Sequence, residues 1–581
     1  MKILLVAINA KYIHSNPAVY SLKSCVGEYE SCVDIAEFTI NQQGPLILRE
    51  IYKRHPDVIA FSCYIWNYSL IDNIIFDLHK ILPDADIWAG GPEVSYNAHE
   101  VISKWNLRGV MAGPGEGIFR YLVSSYVRNT SDDLPPVLDG NHTHRLSLDE
   151  IPFWYKDLTD FENRIIYYES SRGCPFSCSY CISSIDKTMD FRSVDRVCGE
   201  IDFFLEHKVP QVKFIDRTFN CNKDHALPIL RHISEYDNGI TNFHFEIAAD
   251  LLDEDYFELF EKLRPGAVQL EIGVQSTYDK TIDEINRRMD FDKVAAAVER
   301  IIEPDNIHVH LDLIAGLPYE DLETFQKSFN DVYALCPEQL QLGFLKVLKG
   351  SDMEKHAVEY ELVYTELPPY EVLSTKWLSY EEVCHLKQVE EILEIYYNSG
   401  QFHNSLEYLC SYFDTPYDMY DYIAFWYEEH DLFGIQLSRV RKYEILLECG
   451  SVHIAACIQG QGHLAKRAAE LNLSVNYLLS VWREYLTEDL YLREHVKNRP
   501  AFCASPAQWK DRIHDILHEE ARTHELFPML AHCSYRELTK ILHVEVVEHI
   551  FQQPLALIFC YEKRSPLTNN CMVQYKSIEI N

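Results

Sequence analysis

The sequence predicts an α/β protein in which two βα-repeat regions precede a mainly helical C-terminal region. From residue 1 to about residue 360, short apolar runs alternate with amphipathic segments, which is typical of βαβ units and parallel sheets. After about residue 365 the chain is rich in Tyr, Leu, Glu and His and poor in Gly, which favours helices. A chain of 581 residues is too long for one hydrophobic core, so several domains are expected.

Composition and charge narrow the class of protein. The net charge is −36 and the isoelectric point is near 5.1, so the surface should repel phosphate backbones, and nucleic acid is not an expected partner. The N-terminus lacks the regions of a signal peptide, and no apolar run approaches the ~20 residues of a membrane span. We therefore expect a cytoplasmic protein that does not bind membranes, with its 17 cysteines mostly reduced.

The N-terminal region, residues 1–130, is expected to form one parallel sheet. Its strands are predicted at 2–8, 33–38, 58–64, 87–89 and 110–112. Between them, residues 70–82 show the apolar stripe of an amphipathic helix. Such helices cover both faces of a Rossmann-like, doubly wound sheet, whose ligands lie beyond the carboxyl ends of its strands.

The loops after four of these strands are candidates for a ligand site. They are rich in glycine and polar residues, and glycine lets the backbone approach a bulky ligand closely. No Gly-x-Gly-x-x-Gly follows the first strand, so a dinucleotide is not indicated. Tight turns explain any one loop equally well, but four loops at one edge favour a site. The candidate residues are Asn9, Ala10, Ser62, Trp66, Asn67, Gly90, Gly91, Pro92, Gly113 and Glu116.

Residues 131–160 are predicted to form a polar, turn-rich linker, after which the alternation resumes. Six βα repeats over residues 161–360 indicate a partial (β/α)6 barrel of the TIM type, with its active site at the carboxyl ends of the strands. The predicted strands are 164–169, 211–216, 242–248, 268–274, 308–314 and 339–347, and the clearest helices are 194–207, 255–262 and 320–335.

The first of these strands is followed by Cys174, Cys178 and Cys181, in the spacing Cys-x3-Cys-x2-Cys. Three thiolates this close can hold three irons of a [4Fe–4S] cluster and leave the fourth iron open to an exogenous ligand. Structural zinc is the alternative. It needs a fourth protein ligand, and no other His or Cys lies within ten residues of the motif.

The motif and the strand ends that follow it resemble the radical S-adenosylmethionine (SAM) family, in particular the subgroup of the Elongator catalytic subunit and the methylthiotransferases. The resemblance also rests on residues 214–217, 270–276 and 312–318. It implies a [4Fe–4S] cluster, SAM bound to the open iron, and cleavage of SAM to a 5′-deoxyadenosyl radical. Paired structural charges inside a barrel are the alternative explanation for the carboxylates. The implied SAM-binding residues are Tyr180, Asp216, Glu246, Glu271 and Gln275.

The N-terminal region resembles the cobalamin-binding domain that precedes the catalytic domain in many radical SAM enzymes. The loop 64–67 and the turns 90–92 and 113–116 carry this resemblance, so the ten candidate residues above are the implied cobalamin site. The Asp-x-His-x-x-Gly element that supplies a cobalt-ligating histidine in other cobalamin domains is absent, as is usual in this branch. We expect an aromatic residue such as Trp66 to cover the lower cobalt face instead.

The two resemblances imply a cobalamin-dependent radical SAM enzyme, and methylation of an unactivated carbon is the leading hypothesis. Relatives use the same cofactors for cyclisation or rearrangement, which stays an alternative. A methylthiotransferase-like RNA-modifying enzyme would need an N-terminal cysteine triad, and Cys25, Cys32 and Cys63 have unsuitable spacing. A sensor that binds cobalamin without turnover is the non-enzymatic alternative. The resemblance implies an external electron donor of the flavodoxin or ferredoxin type. The sequence identifies neither the substrate nor a catalytic acid or base.

The C-terminal region, residues 365–581, resembles an uncharacterised tail in one group of cobalamin-type radical SAM proteins. Helices are predicted at 381–397, 406–412 and 473–485, and a strand pair at 555–561 and 573–578. The tyrosine-rich segment 417–422 could line a substrate cleft, although such segments more commonly pack in a core.

Overall fold

A computed structural model of the chain describes residues 1–551 and 553–578 and divides into two compact units. The first unit comprises Met1–Phe325 and Gly343–Val383, and the second comprises Gln326–Leu342 and Cys384–Asn581. Within the described residues, every helix is too short or too polar to cross a bilayer.

The first unit begins with a sheet of six parallel strands in the order β2-β1-β3-β4-β5-β6. Side chains of β1 alternate between two apolar clusters, one on each face, which is why this strand is buried at all seven positions. The strands are β1 (Ile3–Asn9), β2 (Val33–Thr39), β3 (Val58–Ser62), β4 (Asp86–Gly90), β5 (Gly109–Ala112) and β6 (Val137–Asp139). The helices are α1 (Pro17–Cys25), α2 (Gly44–Tyr52), α3 (Tyr68–Ile81), α4 (Pro92–Ser95), α5 (Ala98–Trp105) and α6 (Glu116–Val127).

Two boundaries of this sheet differ from the prediction. The segment 131–160 is more than a linker, because β6 pairs in parallel with β5 and forms the edge of the sheet. A strand of three residues between two prolines and an Asp-Gly turn leaves no periodicity to detect. The strand predicted at 58–64 ends at Ser62, so Cys63 and Tyr64 belong to the loop beyond it.

The second part of the first unit is the predicted barrel, built on parallel strands. Within the unit the order is β13-β12-β11-β10-β7. The sixth predicted strand is present as β14, which crosses from the second unit to the first at Gly343. The strands are β7 (Ile166–Tyr168), β8 (Ser171–Arg172), β9 (Asp190–Phe191), β10 (Gln211–Phe214), β11 (Asn242–Ile247), β12 (Val268–Gln275), β13 (His308–Ala315), β14 (Gln339–Phe344), β15 (Val363–Tyr364) and β16 (Val372–Ser374). The helices are α7 (Val194–Glu206), α8 (Lys223–Glu235), α9 (Glu254–Phe260), α10 (Asp279–Glu284), α11 (Phe291–Ile302) and α13 (Asp352–Lys355). The helix α12 (Leu322–Tyr333) begins in the first unit and belongs to the second from Gln326 onward.

The second unit is mainly helical and ends in an antiparallel sheet in the order β17-β18-β19. The sequence predicted two of these strands and missed β17. Tyr417 and Tyr420 are fully buried, so these two rings of the tyrosine-rich segment pack in the core. The helices are α14 (Tyr380–Tyr396), α15 (His403–Cys410), α16 (Pro416–Glu429), α17 (Arg439–Gln459), α18 (His463–Glu470), α19 (Val475–Arg493), α20 (Lys510–Thr523) and α21 (Tyr535–Ile541), and the strands are β17 (Leu542–Val547), β18 (Leu555–Arg564) and β19 (Cys571–Ser577).

Candidate functional site

Two cavities lie at the carboxyl ends of the two parallel sheets in the first unit. The larger, of about 810 Å³, is lined by the loops after β3, β4 and β5. The smaller, of about 220 Å³, is lined by the cysteine motif and by the ends of β11, β12 and β13. Ser183 and Arg217 line both cavities, so the two spaces adjoin.

The cysteine motif begins in a loop whose shape depends on Gly173. This residue has φ +97°, and a Cβ there would lie 2.3 Å from the carbonyl oxygen of Thr188, so only glycine fits. Cys174, Cys178 and Cys181 are free thiols that line the small cavity together. Three unpaired thiols around one space fit three corners of a [4Fe–4S] cluster.

A partly buried arginine that the sequence analysis missed lies against this motif. The Nη1 atom of Arg287 is 3.8 Å from Sγ of Cys178 and donates a hydrogen bond of 3.2 Å to the hydroxyl of Tyr180. Its Nε has no hydrogen-bond partner among the described residues. A guanidinium here compensates the negative charge of a thiolate-bound cluster and has a donor left for a ligand. Arg287 follows a short helix, away from any strand end, which is why the strand pattern did not reveal it.

A β-bulge aims Gln275 into the same cavity. The register between β12 and β13 shifts between Gly273 and Gln275, and Gln275 has φ +75°, which is unusual for a residue other than glycine. Its side chain is nearly buried, and its Oε1 has no partner in the described part of the chain. A strained backbone with an orphaned acceptor at a cavity wall fits a residue whose partner is a ligand.

Glu246 and Glu271 both line the small cavity but differ in charge state. Burial, followed by the nearby charge of Glu271, raises the pKa of Glu246 to about 7. Burial would raise the pKa of Glu271 as well, but the hydrogen bond from His244 and the charge of Lys213 lower it to about 2. Glu271 is therefore an ion-paired carboxylate, whereas Glu246 can exchange a proton near neutral pH.

Polar and charged side chains of the barrel surround Glu271 at the wall of the small cavity. Glu271 is 3.2 Å from the ammonium of Lys213 and 2.9 Å from Nε2 of His244. His310 and Asp312 lie close to the same carboxylate, and ligand atoms of Glu271, His310 and Asp312 fall within 4.8 Å of one another. Lys213 already supplies a cation to Glu271, so the cluster is at least partly compensated by its own charges. This arrangement favours the structural explanation for Glu271, as a charge paired inside the barrel.

The perturbed acidity of Glu246 leads to a prediction about pH. Because its pKa is about 7, the Glu246 carboxyl should be protonated and neutral below pH 7 and ionised above it. In infrared spectra of the protein without SAM, we expect a carboxylic-acid C=O band that disappears between about pH 6 and 8. Because the buried carboxyls of Asp216 and Asp489 also have raised pKa values, of about 6 and about 7, the band should weaken by the contribution of one carboxyl in Glu246→Gln. It should be unchanged in Glu254→Gln, which removes an exposed carboxylate. A band that titrates near pH 4.5 would contradict the assignment.

Asp216, a predicted SAM-binding residue, does not line the small cavity. Its carboxylate is fully buried and accepts hydrogen bonds from the backbone and hydroxyl of Ser170 and from the hydroxyl of Ser171. Burial raises its pKa to about 6. Asp216 therefore fixes the backbone just before the cysteine loop, and the adjacent residues Arg217 and Thr218 line the cavity instead. Because β10 ends at Phe214, these residues lie in the loop beyond the strand, where strand alternation does not set the direction of a side chain.

Six of the ten predicted cobalamin-site residues line the large cavity. Gly91 requires glycine there, because it has φ +106° and a Cβ would lie 2.4 Å from the carbonyl oxygen of Cys63. The missing Cβ lets the turn after β4 pack against the backbone of Cys63, and this packing shapes the wall of the large cavity. The six residues are Ser62, Gly90, Gly91, Pro92, Gly113 and Glu116.

The other four, Asn9, Ala10, Trp66 and Asn67, do not line it. Asn67 is fully buried and holds the loop by donating to the carbonyl oxygens of Ile8 and Ser62. Asn9 bonds to Glu37, also away from the cavity.

From the loop after β3, Tyr64 rather than Trp66 lines the cavity wall, as do the aromatic residues Phe61 and Tyr96. Trp66 stacks on the ring of Tyr64 with centroids 4.4 Å apart and donates its Nε1–H to the carbonyl of Ile8. Trp66 is 42% exposed, and it supports Tyr64 from outside the cavity. If an aromatic ring covers a flat ligand in this cavity, the geometry favours Tyr64 over the predicted Trp66. His14, in the loop after β1, does not line the cavity and forms a hydrogen bond with the hydroxyl of Tyr167.

An ion-pair network links the segment before the cysteine loop to the wall of the large cavity. Arg172, two residues before Cys174, binds Glu116 at the N-terminus of α6 through two hydrogen bonds of 2.8 and 3.1 Å. It also binds Glu169 at 2.6 and 2.9 Å. Burial opposes ionisation of Glu116, but the charge of Arg172 keeps its pKa below the usual range. The bidentate geometry fixes the cysteine loop relative to the wall of the large cavity.

Replacing Glu116 with glutamine should therefore destabilise the first unit. The change leaves Arg172, whose side chain is only 23% exposed, with one carboxylate, at an expected cost of about 2 kcal/mol. For a unit of this size that corresponds to a fall of about 3 °C in the melting temperature, measured by differential scanning calorimetry. Glu50→Gln, which breaks an exposed ion pair, should leave the midpoint within about 1 °C. Equal midpoints for the two variants would refute the structural role of the network.

Comparison with known families agrees with the two-cavity arrangement. Residues 3–123 match the B12-binding domain, and residues 168–332 match the radical SAM superfamily. Residues 358–558 match a family described as a protein of unknown function, DUF4080.

Three known proteins illustrate the similarity. The cobalamin-dependent radical SAM methyltransferase TokK of Streptomyces tokunonensis is 25% identical over 313 residues, which cover 47% of this chain and 44% of TokK. The hopanoid C-3 methylase of Methylococcus capsulatus is 25% identical over 300 residues, covering 48% of this chain and 56% of the methylase. The chain thus spans about half the length of each. The structure of the radical SAM methyltransferase TsrM from Kitasatospora setae, with cobalamin and a [4Fe–4S] cluster bound, superposes on this chain with a TM-score of 0.52 at 15% identity. The superposition covers 63% of this chain and 76% of TsrM, so the two proteins share the fold.

Proposed function

We propose that this chain, which carries a B12-binding domain and a radical SAM domain, is a cobalamin-dependent radical SAM methyltransferase that acts on an unactivated carbon. The observation that carries the proposal is the pair of adjoining cavities. One is lined by the three cysteines that fit a [4Fe–4S] cluster, and the other by glycine-rich loops that fit cobalamin. A substrate at the junction of the two cavities would have both cofactors within reach.

The cofactors would supply a hydrogen-abstracting radical and a transferable methyl group, and the protein positions them. Cys174, Cys178 and Cys181 would hold the cluster. Of the groups around it, Arg287 suits the carboxylate of SAM, because its guanidinium lies beside the cluster and retains a free donor. Gln275 offers an orphaned acceptor for a hydroxyl or amine of SAM.

Methylation, among the reactions open to this cofactor pair, is favoured by the relatives. TokK and the hopanoid C-3 methylase are both methylating enzymes by description, and the match to each covers nearly half of this chain. The cluster would also need an electron from outside the protein, which we assign to a flavodoxin- or ferredoxin-type donor.

Product analysis after anaerobic cluster reconstitution tests the proposal. The protein would be incubated with SAM and a strong reductant, with cobalamin either present or omitted. We expect 5′-deoxyadenosine together with S-adenosylhomocysteine, and we expect the S-adenosylhomocysteine to require cobalamin. Cys178→Ala should yield neither product, whereas Cys221→Ala, which changes a cysteine outside the small cavity, should yield both.

Each other outcome has a definite meaning. If 5′-deoxyadenosine forms whether or not cobalamin is present and S-adenosylhomocysteine does not, methyl transfer is refuted, and cyclisation or rearrangement becomes the favoured reaction. If cobalamin binds but the cluster-loaded protein cleaves no SAM under any condition, the chain acts as a binding protein.

A further inference from the structure

The guanidinium of Arg217 stands where the two cavities meet, and we propose that it binds an anionic group of the substrate, either a carboxylate or a phosphate. This inference rests on the proposed function, because it assumes that the substrate occupies the junction between the two cofactors. Arg217 follows the strand β10, its side chain is exposed, and it lines both cavities.

Arg217 differs from the other arginines of the large cavity in lacking a counter-ion. Arg172 binds two carboxylates, and Arg145 pairs with Asp186 at 3.3 Å. In the part of the chain that the structure describes, the guanidinium of Arg217 forms neither a hydrogen bond nor an ion pair. A guanidinium at a cavity wall that has no partner in the protein can bind a ligand of the opposite charge through its N–H donors.

The field of Arg217 extends to both sides of the junction. On the SAM side, its charge opposes the effect of burial on the pKa of Glu246. On the cobalamin side, it opposes the effect of burial on the pKa of Tyr64. The positive charge is therefore felt where a substrate between the cofactors would lie.

The charge balance of the large cavity leaves Arg217 available. Its lining carboxylates already have basic partners: Glu116 has Arg172, Asp186 has Arg145, and Asp139 has His142 at 2.7 Å. An anion that enters from this side would meet compensated carboxylates and one uncompensated guanidinium. The guanidinium of Arg217 can bind a planar carboxylate or a phosphate through two parallel hydrogen bonds. A neutral substrate would leave its charge without a counter-ion.

Chemical protection can test the proposal without turnover. The protein, loaded with cluster, cobalamin and SAM and kept oxidised so that SAM is not cleaved, would be treated with the arginine reagent methylglyoxal. Adducts at Arg217 and at Arg128, an exposed arginine outside both cavities, would be quantified by peptide mass spectrometry. The probes are butyrate, butyl phosphate, butyramide and butanol, at matched ionic strength.

We expect Arg217 to react in the loaded protein and to be protected by butyrate or by butyl phosphate at least about fivefold, which corresponds to about 1 kcal/mol. Butyramide and butanol should not protect it, and no probe should change the reaction of Arg128. The anion that protects better identifies the substrate group as a carboxylate or a phosphate. Equal reaction with all four probes would overturn the proposal.

An unreactive Arg217 in the loaded protein would also overturn it, because the guanidinium would then belong to a bound cofactor. Protein loaded with cobalamin alone and with SAM alone would show which cofactor covers it. The readout needs no catalysis, so this inference can fail while the SAM products described above still form. It can equally succeed where methyl transfer fails.

Discussion

Cys178→Ala is expected to abolish the [4Fe–4S] cluster and, with it, all cleavage of SAM. The three cysteines line one small cavity, and no other cysteine of the described residues lines it, so no spare thiol can replace a lost ligand. Losing Cys178 would leave a second iron without a protein ligand, and Arg287 would lose the thiolate beside it. Iron and sulfide content after anaerobic reconstitution and the visible absorption of the cluster measure the result.

Cys221→Ala is the matched control for this experiment. Cys221 is half-buried, and burial, followed by the charge of the nearby Cys174, raises its pKa, yet it does not line the cavity. Its replacement removes a neighbouring thiol and should leave cluster content unchanged. A full cluster in Cys178→Ala, or loss of the cluster in Cys221→Ala, would show that the ligand set is not the one assigned here.

The second large effect is expected from Gly91→Ala, which should lower the affinity for cobalamin about a hundredfold. At φ +106° an alanine is strained, and its Cβ would lie 2.4 Å from the carbonyl oxygen of Cys63, so the wall of the large cavity must move. The strain is present in the free protein as well and lowers its stability, so the loss of affinity comes from the contacts that the displaced wall no longer makes. We expect that loss to be about 3 kcal/mol, the equivalent of two factors of ten in binding. Equilibrium dialysis with hydroxocobalamin measures the affinity directly.

Gly27→Ala separates this local effect from a general loss of stability. Gly27 also has a positive φ, +59°, but a Cβ there would meet no atom within 4 Å. The substitution carries backbone strain of about 1 kcal/mol without touching the cavity wall, so cobalamin should bind as in the unmodified chain. If Gly91→Ala and Gly27→Ala bind cobalamin equally well, the large cavity is not the cobalamin site.

The sequence was most informative where a short spacing carries a chemical requirement. The Cys-x3-Cys-x2-Cys motif and the regular alternation of strands and helices located the cluster loop and both parallel sheets. Positions with few local constraints were harder to predict. The three-residue strand β6 showed no periodicity, and Arg287 reaches the cysteines from a loop more than a hundred residues away in the sequence.

Sequence position also could not say which way a side chain points at the end of a strand. Asp216 and Arg217 are adjacent, yet the first is buried behind the cysteine loop and the second lines both cavities. Tyr64 and Trp66 share one loop, and their stacking leaves the tyrosine at the cavity wall. Side-chain direction at such points depends on the exact end of the strand and on what packs behind it.

The sequence by itself determined the fold class, the cysteine motif and the glycine-rich loops at the sheet edge, because strand periodicity, ligand spacing and glycine backbone freedom are local properties. Only the tertiary structure decided that the two cavities adjoin, that Arg287 and Gln275 line the same cavity as the cysteine motif, and that Arg217 lies between the cavities with no partner among the described residues. These features depend on contacts between residues far apart in the chain. Such contacts are fixed by packing, since the burial of a charged or polar group depends on every element that surrounds it.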